Sequence, residues 1–126
     1  MARWRDGTGT VHGADRPVAV EIAASYRARR RGLLGRDGVA GALLLTPASG
    51  VHTFGMRFAI DVAYLDRTLR VLAVRTMPPG RLGLPRPRAR HVLEASAGAM
   101  AGWGLREGVR LTLRTAEADP EADGHP

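Results

Sequence analysis

Cysteine and lysine are both missing from this chain of 126 residues, and aromatic side chains make up only 5% of it. Without thiols there is no disulfide framework, no cysteine nucleophile and no thiolate-held zinc or iron–sulfur cluster. No apolar run approaches the roughly 20 residues of a membrane-spanning helix, so membrane insertion is not expected. The opening Met-Ala-Arg-Trp-Arg-Asp-Gly is basic, but no apolar stretch of signal-peptide length follows it before Gly13 and Asp15. A cytoplasmic location is the resulting expectation.

What remains is an ordinary globular composition, 44% hydrophobic and 25% charged, which supports a single domain with its own core. All 19 basic residues are arginine and stand against 12 acidic ones, a net charge of +7. That charge attracts polyanions at low salt. Abundant Ala and Gly beside the arginines also fit a GC-rich coding sequence, so the count alone does not mark a binding surface.

Along the chain, residues 1–16 lack any apolar period and read as a loose N-terminal arm or first edge strand. Val18, Val20 and Ile22 alternate with Ala19, Glu21 and Ala23, the period of a half-buried strand. A short helix over about residues 25–35 follows, with Ser25 as N-cap, Tyr26, Leu33 and Leu34 as its core face, and Gly32 and Gly35 to end it. Leu43–Leu45, Val51–Phe54 and Phe58–Leu65 read as extended segments, the last apolar on both faces and so central. Asp66-Arg67-Thr68 turns it into a hairpin with Leu69–Val74. Residues 77–87 hold four of the eight prolines and form a loop. His91–Glu94 is extended, residues 96–103 offer a second helical turn, and Val109, Leu111 and Leu113 alternate as a last strand. Six or seven strands with little helix predict a mainly β, single-domain antiparallel β-sandwich or partly open barrel over residues 17–114, with 115–126 a disordered tail.

The most informative stretch is Val51-His52-Thr53-Phe54-Gly55-Met56-Arg57-Phe58-Ala59-Ile60-Asp61. Asp61 lies on a strand face between Ala59 and Ala63, and a buried carboxylate costs several kcal/mol unless it is paired. Arg57, Arg75, His52 or the backbone N–H groups of a nearby turn are its candidate partners, with Arg57 as the expected counter-charge. His52, His91, Asp61 and Glu94 are residue types of a thiolate-free metal site. However, His91 and Glu94, three apart on an extended chain, fall on opposite faces, and neither a metal nor a cofactor is assigned. Ser96 in Glu-Ala-Ser-Ala-Gly lacks the first glycine of a nucleophile elbow, and Gly98–Gly104 matches neither a dinucleotide nor a Walker loop. Arg27, Arg29, Arg30 and Arg31, with Arg81, Arg86, Arg88 and Arg90, form two basic clusters with no interleaved aromatics for base stacking.

Three elements in order carry a resemblance: Arg30-Arg31-Gly32-Leu33-Leu34-Gly35-Arg36, the run from Val51 through Met56 to Asp61-Val62-Ala63-Tyr64-Leu65-Asp66, and Val92-Leu93-Glu94-Ala95-Ser96-Ala97-Gly98 followed by Gly108. Together they resemble family 192 of the domains of unknown function, small prokaryotic proteins, over roughly residues 18–114. The resemblance implies a β architecture with a small helix bearing the Arg-x-x-Gly-Leu element, and no established reaction. Many relatives begin with a signal peptide or membrane anchor, which this chain does not show. If the family shares a site, the resemblance carries Gly32, Leu33, Met56, Asp61 and Glu94 into it.

The functional expectation is a non-enzymatic, monomeric module, without catalytic residues, that binds a small ligand or protein partner through His52, Met56, Arg57, Asp61 and Glu94. The alternative is a nucleic-acid or polyanion binder using Arg27, Arg29, Arg30, Arg31, Arg86, Arg88 and Arg90. A metal-dependent hydrolase resting on the His, Asp and Glu grouping stands third.

Overall fold

The computed structural model describes residues 4–115. Seven strands form one sheet, β1 (Gly7–His12), β2 (Val18–Ala23), β3 (Ala42–Leu45), β4 (Ile60–Leu65), β5 (Val71–Met77), β6 (His91–Ser96) and β7 (Thr112–Thr115), in the spatial order β5-β4-β6-β3-β2-β1-β7. Two short helices accompany them, α1 (Tyr26–Arg31) and α2 (Ala99–Gly102). The mainly β class is as the sequence predicts. The expected tail falls outside the described residues beyond Thr115, which itself closes β7.

The ladder leaves the sheet open, with β5 and β7 at its margins. Just ahead of those strands the two margins meet at a single antiparallel bridge between Arg70 and Arg110. Val71 N–H donates to Val109 O at 2.8 Å and Leu111 N–H to Leu69 O at 2.9 Å. The sheet is thus rolled toward a barrel. Its inner face carries Val18, Val20, Ile22, Leu44, Ala63, Leu65 and Leu93, and Met100 and Trp103 close over the same cluster. A second core lies on the outer face: Leu43, Ile60, Val62, Tyr64 and Val92, covered by Leu33 and by the loops on either side of residues 48–58 and 77–89. Every residue of β4 is buried, as a strand with a core on each face requires.

Three features depart from the sequence reading. Gly7–His12, part of the expected arm, is a strand between β2 and β7 rather than at an edge. Glycine is what permits it there: a Cβ on Gly9 would sit 2.7 Å from the Arg114 carbonyl oxygen of β7. β2 and β3 pair in parallel, so the antiparallel sheet contains one strand–helix–strand crossover through α1. Finally, α1 buries none of its residues. Tyr26 is 68% exposed and Leu34 also faces solvent, leaving only Leu33 of the expected core face inside, 1% exposed.

A helix without a buried face is held by polar ties. The Ser25 hydroxyl accepts from Ala28 N–H, and the Asp6 carboxylate accepts from Ser25 Oγ and from the N–H groups of Ala24 and Ser25, which together hold the Asp6 carboxyl below its ordinary value. Beyond the helix, Arg36 makes a bidentate pair with Glu21 of β2 at 2.7 and 2.9 Å.

Asp61 lies on the inner face, with α2 packed at its end. Its Oδ1 accepts from the Thr76 hydroxyl across the β4–β5 pair at 2.6 Å, and its Oδ2 accepts from Gly98 N–H at 2.9 Å and Met100 N–H at 3.1 Å. Both oxygens are engaged, so this carboxylate fixes the approach to α2. Asp61→Ala is expected to lose on the order of 3 kcal/mol and Thr76→Val about 1 kcal/mol in denaturant titration followed by Trp fluorescence. A loss below about 0.5 kcal/mol for Asp61→Ala would show that this network does not hold α2.

Candidate functional site

The outer face bears a second buried carboxylate. Glu94, in the middle of β6, stands between Leu43 of β3 and Val62 of β4, directly opposite both in register. It is 6% exposed. Among the described residues no hydrogen bond or ion pair reaches it, in contrast to Asp61 on the other face. Burial pushes the Glu94 carboxyl up to about 7.

Glu94 lines a pocket of about 100 Å³, shared with Arg29, Arg30, Arg31, Gly32, Leu33, Leu34, Leu45, Gly50, Val51, His52 and Met56. Three segments therefore build it: the end of α1, the end of β3, and the stretch 50–56. The last is pinned by Thr53, a fully buried residue whose hydroxyl donates to Pro78 O at 2.6 Å and accepts from Arg81 N–H at 2.8 Å. Thr53 N–H also donates to Arg81 O at 2.7 Å, and its carbonyl accepts from Gly80 N–H at 2.8 Å. The proline-rich loop is thereby locked to the segment that carries His52 and Met56. His52 pairs in a single bridge with Leu82, and its ring stacks on Phe54 with centroids 5.0 Å apart. Phe54 N–H donates to His52 Nδ1 at 3.3 Å.

Of the five residues nominated from the sequence, the structure brings His52, Met56 and Glu94 into one pocket. Asp61 is on the opposite face with its partners already named. Arg57 pairs with Asp37 at 3.1 Å on the surface, not with Asp61, because the β4 register turns Asp61 inward while Arg57 precedes the strand. His91 also lies away from Glu94, its Nδ1 2.8 Å from Thr46 Oγ1 and its ring 5.2 Å from Trp4; burial holds its imidazole below the ordinary value. Among the described residues no three His, Asp or Glu side chains converge as a metal site. Thr53 and the apolar wall of Leu45 and Val51 were not singled out from the sequence. A buried threonine in a loop carries no periodic signal, and only the fold brings residues 29–34 next to Glu94.

The arginines differ in their commitments. Arg29 donates to Ala24 O and Pro47 O, and Arg30 to the Tyr26 hydroxyl. In the second cluster Arg86 lies over the Tyr64 ring, 4.9 Å from its centroid, and Arg90 donates to Pro87 O and Ala89 O. Arg31, at the pocket, has no such partner among the described residues.

A mainly β domain with one rolled, open sheet and a small pocket on its outer face is the class this geometry defines. Residues 8–113 match the pattern of domain-of-unknown-function family 192, described as "Uncharacterized ACR", and the chain belongs to that family. A UPF0127 protein of Pyrococcus horikoshii is 33% identical over 84 residues, 63% of this chain and 73% of the relative. A UPF0127 protein of Thermococcus kodakarensis is 32% identical over 109 residues, 82% of this chain and 69% of the relative. Two crystal structures share the fold. A protein of unknown function from Novosphingobium aromaticivorans has a TM-score of 0.70 at 19% identity, covering 83% of both chains. A putative transcription regulator from Sinorhizobium meliloti has a TM-score of 0.76 at 17% identity, covering 89% of this chain and 98% of the other. No described helix is long and apolar enough to cross a membrane.

The raised Glu94 carboxyl makes stability depend on pH. In the unfolded chain the group ionises around its ordinary 4.5, in the folded chain around 7. Below the lower value both states hold the proton and burial carries no charge penalty. Between the two, the unfolded state ionises first, so stability falls as pH rises, and the loss levels off above the folded value at roughly 3 kcal/mol. Glu94→Gln cannot ionise and is expected to match the native chain near pH 4 and to exceed it by about that amount near pH 8 in chemical denaturation. A difference between the two chains that does not change with pH would contradict this.

Proposed function

We propose that this protein is a small-ligand-binding module and that the Glu94 pocket is its site. The observation that carries this reading is a carboxylate 6% exposed, without a partner, facing a pocket built by three separate segments. An unpaired buried charge costs stability, and an apolar residue at the same strand position would pack better against Leu43 and Val62. A carboxylate perturbed by desolvation in a cleft is a functional-site candidate. Among the described residues no group of three His, Asp or Glu side chains forms a metal site, and the reading is binding without a reaction step. His52 and Met56 line the same pocket, whereas Asp61 belongs to the framework on the opposite face and Arg57 to a surface ion pair.

A saturation-transfer NMR screen of a small-fragment library tests this. Binders of the native chain are expected to shift the amides of residues 31–34 and 50–56 and to lose their affinity in Glu94→Leu. Binders that engage both chains equally would remove the pocket as the site.

One observation favours a second reading, a polyanion-binding surface: α1 has no buried residue and carries Arg27, Arg29, Arg30 and Arg31. The second cluster supports it less, because Arg86 is stacked on Tyr64 and Arg90 is bonded to its own loop. The Sinorhizobium protein is described as a putative transcription regulator, and at 17% identity the likeness to it extends to the fold alone. Titration with a mixed-sequence DNA oligonucleotide near physiological salt is expected to leave the arginine amides unmoved. Shifts confined to residues 27–31 and 86–90 that fade steeply with salt would favour the polyanion reading instead.

A further inference from the structure

We propose that the pocket takes a small zwitterion, its cationic nitrogen against Glu94 and its anionic group against Arg31. This rests on the pocket being the ligand site and adds the chemistry of the occupant.

Two opposite charges line one pocket of about 100 Å³ and do not meet. Glu94 forms no ion pair within 4 Å, although Arg29, Arg30 and Arg31 all contribute to the same lining. The reason is positional: Glu94 rises from the sheet between Leu43 and Val62, whereas the arginines belong to the exposed α1. The Arg29 and Arg30 guanidinium groups are already engaged, and Arg31, which also lines the pocket, has no side-chain partner among the described residues. Leu33, Leu45, Val51 and Met56 form the apolar remainder of the wall. A volume of this size corresponds to about three water molecules, so the occupant inside has a handful of heavy atoms.

Each simpler occupant leaves a charge uncompensated. A lone anion at Arg31 would leave the buried Glu94 carboxyl unanswered, and a lone cation at Glu94 would stand behind the arginines. A ligand carrying both charges, separated by a few methylenes, answers the two ends and fills the apolar wall between them. The other charged and titratable groups around Glu94 are Arg29, Arg30 and His52 along the pocket and Tyr64 on the neighbouring strand. A cationic nitrogen docking on Glu94 favours its ionised form, so binding near neutral pH expels a proton from the carboxyl.

The experiment is calorimetry and amide NMR of the full chain with three matched series of ligands: glycine, β-alanine and γ-aminobutyrate, the carboxylates of the same lengths, and the amines of the same lengths. At least one amino acid is expected to bind about tenfold more tightly than its matched carboxylate and amine, with proton release read by repeating the calorimetry in buffers of different ionisation enthalpy. Glu94→Gln is expected to abolish the proton release and lower affinity to that of the carboxylate, and Arg31→Gln to lower it to that of the amine. A carboxylate or an amine binding the same amides as tightly as its amino acid overturns the zwitterion and leaves the pocket as a ligand site. Silence of all nine compounds at the pocket amides, while library fragments bind there, does the same. Silence of both sets overturns the pocket reading as well.

Discussion

β4 is buried on both sides, and the rest of the structure answers that constraint. A sheet with a core on each face needs two covers. On the inner side the sheet supplies its own, rolling until the segments before β5 and β7 touch at Arg70 and Arg110. On the outer side there is no second sheet, and the cover is assembled from irregular chain: the turn after α1, the stretch 46–58, and the proline-rich loop. Irregular chain leaves backbone groups to satisfy, which is what Thr53 does for two loops at once. It also leaves gaps, and the pocket is the gap over β6.

The two buried carboxylates show how differently the faces treat the same chemistry. Asp61 points inward and meets a hydroxyl and two backbone N–H groups, so its charge is spent on fixing the approach to α2. Glu94 points outward among apolar neighbours and has no hydrogen-bond or ion-pair partner among the described residues. One is part of the framework. The other, unpaired among the described residues, carries a desolvation cost that protonation or a bound cation relieves, and this is why the ligand reading centres on Glu94 and not on Asp61.

Much of the framework was legible because it follows from side-chain period. Val18, Val20 and Ile22 read as a half-buried strand, and the run from Phe58 to Leu65, apolar on both faces, read as central; both expectations hold, with β4 beginning at Ile60. β1 was hidden because its sequence, Gly-Thr-Gly-Thr-Val-His, has little apolar content, and pairing on both edges rather than burial makes it a strand. The α1 face differs from the sequence reading because a six-residue helix tied by Asp6, Ser25 and Arg29 needs no apolar stripe. The site was legible only in part. His52 came from the local pattern, and the resemblance placed Gly32 and Leu33 with Met56 and Glu94, but the junction with Arg31 depends on the parallel β2–β3 crossover, which no local pattern announces.

The account turns on the Glu94 side chain being an unpaired carboxyl in an apolar setting. A carbon-detected NMR titration of its side-chain carboxyl in the ligand-free protein measures this directly. The account predicts a midpoint close to 7, well above the ordinary 4.5. A midpoint at or below the ordinary value would mean that the carboxylate has a partner or is solvated, and would contradict the claim that it awaits one.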